Sequence, residues 1–346
     1  MALVAQEYTS SESYNILQMK KKNLFKAIIC ILGCVMYLSG QSQQVPAKDE
    51  NIPYLVTFGV NADKSWGDDD FCQIFFFKIP FTHNEPFYLR VYDPDTGGAI
   101  DELKGEFNTI VRFSIYGGKV GWNDKNAQTA GSNGEFEGGN LLDAKAFGNE
   151  ATWDQKWFTF GPFNPTEGEL SEELNGHIFK IIAKGISGDD GNLYKYFLST
   201  DSKENKPVEG GNLFTYKYHF RLSDNQNDVS QIYPYIDEKV VSVKIINYDW
   251  DNDGFIRVVS VAKRGELCKI SGEADWATTE LPIVKEERNT SLEIQFIKNK
   301  SILVRNNNVA VIVQNQYGTS LPFYVIPIGG IPIYKPALKM KAVEKK

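Results

Sequence analysis

One ten-residue run limits this chain to sheet structure. From Leu213, the residues Phe214, Tyr216, Tyr218, Phe220 and Leu222 alternate with Thr215, Lys217, His219 and Arg221. Successive side chains of a strand point to opposite faces, so the run has one aromatic face and one polar face, where a solvated histidine at 219 is the default. The segment 86–93 repeats the pattern, with Phe87, Leu89 and Val91 opposed to Tyr88, Arg90 and Tyr92. Further strands are expected at 53–60, 72–80, 108–116, 156–162, 177–186 and 193–200. No segment in this half has a convincing helical period. Many short strands without helices predict an antiparallel sandwich or jelly roll over residues 52–225.

Asp224-Asn225-Gln226-Asn227-Asp228 is a polar break and the expected domain boundary. Beyond it, strands are expected near 231–236, 240–248, 255–262, 267–272, 278–284, 291–298, 309–315 and 321–328. Their number and spacing suit an immunoglobulin-like sandwich over 229–335, although the Cys…Trp…Cys pattern of antibody domains is missing. The expected fold is therefore all-β, with two antiparallel β-sandwich domains, the first jelly-roll-like and the second immunoglobulin-like. Residues 43–51 read as a linker and 336–346 as a solvated basic tail.

The chain starts with a different pattern. From Met19, Lys20, Lys21, Lys22 and Lys26 form a basic region, Leu24 to Leu38 an apolar one, and Ser39, Gly40, Gln41 and Ser42 a small, polar end. This is the pattern of a cleaved export signal of bacterial type, and residues 1–18 read as an over-extended start. The apolar run is shorter than the ~20 residues of a membrane-spanning helix, so no transmembrane helix is expected in the mature chain. Ile31-Leu32-Gly33-Cys34 resembles a lipoprotein box, but apolar Val35 to Leu38 follow where such proteins turn polar. The expected location is periplasmic, outer-membrane associated or secreted. Cys72 and Cys268 are single and far apart, which points to buried thiols rather than a disulfide framework.

The formal net charge is −7. An acidic body does not supply the basic footprint that nucleic-acid binding needs, and it suits cation binding. Acidic residues gather in loops: Asp68, Asp69 and Asp70 in 61–71, and Asp93, Asp95, Asp101 and Glu102 at or within 94–107. Loops of an antiparallel sandwich alternate between its ends. On the expected strands, these two loops share one end, and the loops 117–155 and 187–192 share the other. Calcium takes 6–8 oxygen ligands and offsets carboxylate repulsion, so Asp68, Asp70, Asp93, Asp95 and Asp101 are candidate ligands. The same residues also suit ordinary turns.

Asp249-Trp250-Asp251-Asn252-Asp253-Gly254 has the D-x-D-x-D-G spacing of a calcium loop, with Asp249, Asp251 and Asp253 as candidate ligands. The twelfth position is Ser260 rather than Glu, and strands flank the motif. It is thus a calcium loop in a hairpin or an Asp-Gly turn. In the long, Gly-rich connection 117–155, Trp122 is the candidate for stacking on a sugar ring.

Trp66-Gly67-Asp68-Asp69-Asp70-Phe71, the strand after it, and Leu89-Arg90-Val91-Tyr92-Asp93-Pro94 together resemble the pre-peptidase C-terminal type of β-sandwich. They also resemble the sandwich regions found ahead of OmpA-type domains in bacterial outer-membrane proteins. The resemblance covers about 53–200 and implies an extracytoplasmic, calcium-assisted accessory module without catalysis. The long 117–155 connection departs from it.

His83, His177 and His219 are scattered, and no HExxH, GxSxG or phosphate-cradling loop occurs. No catalytic residue is assigned. The expected function is an exported, non-catalytic, calcium-stabilised protein of the cell surface or periplasm. It would serve in binding, adhesion or assembly, with a cell-surface glycan or a protein as partner. The alternative is a carbohydrate-active hydrolase on a jelly roll, using paired carboxylates.

Overall fold

The computed structural model describes residues 43–130 and 135–336. The export signal from Met19, with Cys30 and Cys34, and the lysines beyond Pro336 lie outside those residues. The strands in chain order begin with β1 (Gln44–Val45), β2 (Tyr54–Phe58), β3 (Cys72–Pro80), β4 (Phe87–Tyr92) and β5 (Ile110–Gly117). Next come β6 (Asn140–Phe147), β7 (Trp157–Phe163), β8 (Glu169–Ser171), β9 (Gly176–Ser187), β10 (Gly191–Ser199), β11 (Asn212–Thr215) and β12 (Lys217–Arg221). The later strands are β13 (Val229–Ile232), β14 (Tyr235–Ile236), β15 (Ser242–Tyr248), β16 (Gly254–Val259), β17 (Arg264–Leu267) and β18 (Trp276–Pro282). Last are β19 (Thr290–Ser291), β20 (Glu293–Lys298), β21 (Asn308–Asn315) and β22 (Phe323–Tyr324). The fold is nearly all β. Among the described residues no helix is long and apolar enough to cross a membrane, which says nothing of β-barrels.

The largest sheet runs β18-β15-β21-β12-β2-β10-β4-β7, with β1 added beside β10. A second runs β22-β11-β3-β9-β5-β6, with β8 beside β9, and a third runs β13-β20-β16-β17. Their pairings are antiparallel, the longest register running from Cys72 opposite Lys184 to Pro80 opposite Gly176. Strands from both sides of 224–228 meet in the first sheet: β12 pairs β2 on one edge and β21 on the other. The core is likewise continuous across that position, with the Phe220 and Phe296 rings 5.4 Å apart. The polar break expected as a domain boundary is therefore a surface turn, closed by Asp228 donating its N–H to the Asn225 carbonyl. Polar composition marks an exposed connection; it carries no information on whether the flanking strands pair.

The alternating run at 213–222 changes sheets midway. β11 belongs to the second sheet and β12 to the first. At the crossing, the Thr215 hydroxyl lies 2.6 Å from the Ile74 carbonyl oxygen and 2.7 Å from that of Lys217. Leu213, Tyr218 and Phe220 enter the main core, while Phe214 and Tyr216 join a smaller cluster with Cys72, Ile74, Phe76 and Tyr116. The expected polar face is not solvated either. His219 is fully buried beneath Asp68 and Asp69 of the loop after β2, and Arg221 nearly so against Glu102, Asn306 and Asn308. Cys72 and Cys268 are buried free thiols.

Three strands were not expected: the short β1 and β8, and the longer β6. β6 lies inside the long connection 117–155 and pairs with β5 from Val111 opposite Phe147 to Gly117 opposite Asn140. Its row Asn-Leu-Leu-Asp-Ala-Lys-Ala-Phe is mostly half-exposed, so it carries little alternation. An extra strand reverses the end at which each later loop falls. The turn 188–190 accordingly lies with the loops 59–71 and 94–109, where Gly59 donates to the Asp190 carbonyl and Glu102 exchanges backbone bonds with Gly191. This corrects its expected position at the opposite end.

Candidate metal centre

The loops between β2 and β3, β4 and β5, β6 and β7, and β9 and β10 thus share one pole of the molecule. Two groups of potential ligand atoms converge among the described residues: Asp68, Asp69, Asp70 and His219, and Asp93, Asp95 and Asp154. The five residues expected to serve one calcium ion are therefore divided between two groups, with Asp101 outside both.

The first group is largely offset by side chains of the protein. The Lys217 ammonium lies against Asp69 and 2.8 Å from Asp70. His219 Nε2 is 3.3 Å from Asp69 Oδ1. Asp68 accepts backbone N–H bonds from Phe58 at 2.9 Å, Asp70 at 3.3 Å and Phe71 at 2.7 Å. Burial pushes the Asp69 carboxyl up, but His219 and Lys217 outweigh it and hold the group below the usual carboxylate range. Burial and Lys217 push the His219 imidazolium down; Asp68, Asp69 and Asp70 reverse this, and its pKa is raised. A partly buried cluster held by Lys217 and His219 is a structural ion-pair network.

The second group has no such partner. Asp93 and Asp95 flank Pro94 just after β4, and Asp154 precedes β7. One carboxylate oxygen from each lies within 4.8 Å of the others. Two ligands on opposite sides of calcium, each at about 2.4 Å, are separated by about that distance, so the three fit one coordination sphere. Asp93 and Asp95 are at most 1% exposed. Oδ1 of Asp93, of Asp95 and of Asp154 is buried without a hydrogen-bond partner. Burial raises the Asp93 carboxyl to about 7, with the Gln155 amide opposing and Asp95 and Asp154 adding. Burial and Asp154 raise that of Asp95 to about 6. Unpaired buried carboxylates are costly, and a divalent cation with oxygen preference removes that cost.

Local structure explains the convergence. Asp93 takes a left-handed conformation, φ 53°, and donates its N–H to the Lys156 carbonyl at 2.8 Å. That bond ties the start of one loop to the end of the other. Gly98 supplies clearance: a Cβ there would stand 2.9 Å from the Asp154 carboxyl carbon. Asp101 supports the loop instead, accepting from the N–H groups of Gly97 and Leu193 at 2.7 Å each. Asp190 does the same from the next turn, accepting from Lys104, Asn108 and Thr109.

The D-x-D-x-D-G motif forms the turn between β15 and β16. Asp249, Asp251 and Asp253 do not converge as a three-carboxylate group. Asp253 is engaged by the Lys298 ammonium at 3.1 Å, and Asp249 accepts the Ala274 N–H. Asp249 and Asp251 have left-handed backbones, so the spacing serves the turn. Trp122 is half-buried against the cluster on the second sheet, where its indole N–H donates to the Tyr216 hydroxyl at 3.0 Å. That contact leaves it short of the exposed ring face expected for sugar stacking.

Sequence reasoning missed Asp154, Lys217 as a partner, and the burial of His219. Asp154 stood near the end of a connection that was expected to lie at the other pole; recognising β6 was the one signal that could have placed it.

Comparison with family models gives no match, and no curated protein matches the chain.

Proposed function

We propose that this chain is an exported, non-catalytic β-sandwich protein of the bacterial cell surface or periplasm. Calcium stabilises it, and it acts in binding, adhesion or surface assembly. In this reading, the jelly-roll-like strands of 52–225 and the immunoglobulin-like strands of 229–335 are parts of one sandwich body that shares a sheet and a core. The observation that carries the reading is the buried, unpartnered convergence of Asp93, Asp95 and Asp154. Calcium there would tie two loops of one pole together. The segment from Met19 supports export, and the sequence resemblance to pre-peptidase C-terminal modules supports an accessory role.

Asp93 and Asp95 of the convergence are buried, whereas a glycosidase pair must flank a substrate in an open groove; this favours binding over hydrolysis. An open cleft of about 230 Å³, lined by Pro53, Tyr54, Ile100, Leu193, Arg221 and Asp224, offers a place for a partner. A glycan array probed with the mature chain in calcium and in chelator tests the function. Calcium-enhanced retention of a glycan without its turnover is expected. Hydrolysis of the retained glycan would select the hydrolase instead.

A further inference from the structure

The Asp253 carboxylate does more than satisfy a lysine. Its Oδ2 is 3.1 Å from Lys298 Nζ and 3.4 Å from Asn307 Nδ2. All three residues are buried: Lys298 is 4% exposed, Asp253 2% and Asn307 1%. Lys298 ends β20 on the row that carries Ile294 and Phe296 into the core. Trp250 closes the other side, with its ring 5.5 Å from that of Phe296. An amine, a primary carboxamide and a carboxylate therefore share an apolar pocket, with both nitrogens on the same carboxylate oxygen. Oδ1 of Asn307 and Oδ1 of Asp253 have no partner.

We propose that Lys298 and Asn307 are the reacting pair of an autocatalytic isopeptide cross-link, with Asp253 relaying the protons. Lys298 passes one proton from its ammonium to Asp253. The freed Nζ lone pair attacks Cγ of Asn307, and Asp253 protonates the developing Oδ1 oxyanion. As the tetrahedral centre collapses, that proton returns to the carboxylate. A second proton moves from Nζ through the carboxylate to Nδ2, the Cγ–Nδ2 bond breaks, and ammonia leaves. A Nζ–Cγ amide bond replaces the Cγ–Nδ2 bond, and the first proton departs with the ammonia as ammonium. No electron is exchanged and no cofactor enters.

The placement gives the bond a purpose. β20 belongs to the third sheet and β21, which begins after Asn307, to the first. The bond would join the two layers at the pole where Asp253 accepts the N–H of Asn299 and Asn307 that of Leu222. Lys298 also donates to the Val304 carbonyl at 2.7 Å, and Asn307 Nδ2 to that of Trp250 at 3.2 Å. Both contacts hold the nitrogens near the carboxylate. Replacing a buried ammonium by a neutral amide removes a desolvated charge, which favours the product.

Intact-mass measurement and tryptic mapping of the purified full chain test this directly. The expected mass is that of the purified chain's own sequence, counted from its observed first residue, less one ammonia. Trypsin should fail to cut after Lys298, giving a branched species that joins the peptide 289–300 to the one beginning at Asn306. Asp253→Ala and Asn307→Ala should each restore the full sequence mass and the cut at Lys298. Because the wild-type map decides by itself, a variant that fails to fold leaves the test intact. Linear peptides cut after Lys298 would overturn the proposal. So would an ammonia loss confined to a linear peptide, since a succinimide at Asn307 gives that mass without a cross-link.

Discussion

Asp93 and Asp154 belong to loops separated by β5 and β6, yet their carboxylate oxygens lie within 4.8 Å of each other. The Asp93 N–H bond to the Lys156 carbonyl holds that approach. Without a cation it is unfavourable: the oxygens are buried, unpartnered and of like charge. Asp95→Asn should therefore raise the stability of the chain in chelator, by about 1–3 kcal/mol at neutral pH, since each pKa unit corresponds to about 1.4 kcal/mol. In calcium the same substitution should lower stability relative to wild type. Urea titrations under the two conditions check the change of sign.

The same carboxyls set a pH dependence. Their folded pKa values, about 7 for Asp93 and about 6 for Asp95, lie above the ordinary 3.8. Groups raised in this way contribute stability that is present below 3.8 and lost as pH rises through about 6 to 7. In chelator, wild type should lose stability relative to Asp95→Asn across that window. In calcium the loss should disappear at the upper end, because the ion holds the ionised form. Paired melting curves at several pH values measure it.

The Asp69–Lys217–His219 network predicts a different response. Lys217→Met leaves Asp69 and Asp70 without their ammonium and should cost roughly 1–3 kcal/mol, less than a fully buried pair because both carboxylates are partly exposed. His219 has a raised pKa, so its contribution is present below 6.5 and lost as pH rises through its higher folded value. His219→Gln should flatten that part of the stability profile without altering calcium affinity. A loss of calcium affinity would place this group in the metal site.

Lys263 and Glu287 are a buried ion pair at 2.7 Å, 4% and 0% exposed, with the Ser260 hydroxyl on the same carboxylate. Lys263→Met leaves an unpaired buried charge and should cost about 3–5 kcal/mol, and adding Glu287→Leu should recover much of it. A double-mutant cycle by chemical denaturation checks the recovery.

How much of this was legible in the sequence depended on burial of one face. β3, β4, β9 and β21 stand close to their expected bounds, because their rows bury apolar side chains on at least one face, and in β3 and β9 on both, and so read as strong apolar patterns. β6 was not legible, since Leu141, Leu142 and Ala144 remain partly exposed and turn residues surround them. Missing it displaced the turn at 188–190 and concealed Asp154. The Asp-rich loop at 68–70 was legible as a cluster but not as an ion pair. Its cation, Lys217, comes from a strand whose polar face was expected to meet water. The motif at 249–254 misled for a related reason: spacing fixes the turn, while Lys298, from another strand, decides what Asp253 does. Asp251→Ala should accordingly leave the calcium response intact.

Calcium titration calorimetry on the mature chain at neutral pH tests the central claim most directly. One site is expected, abolished by Asp154→Asn and retained in Asp251→Ala. A chain that binds no calcium, or one whose binding survives Asp154→Asn, would contradict the account.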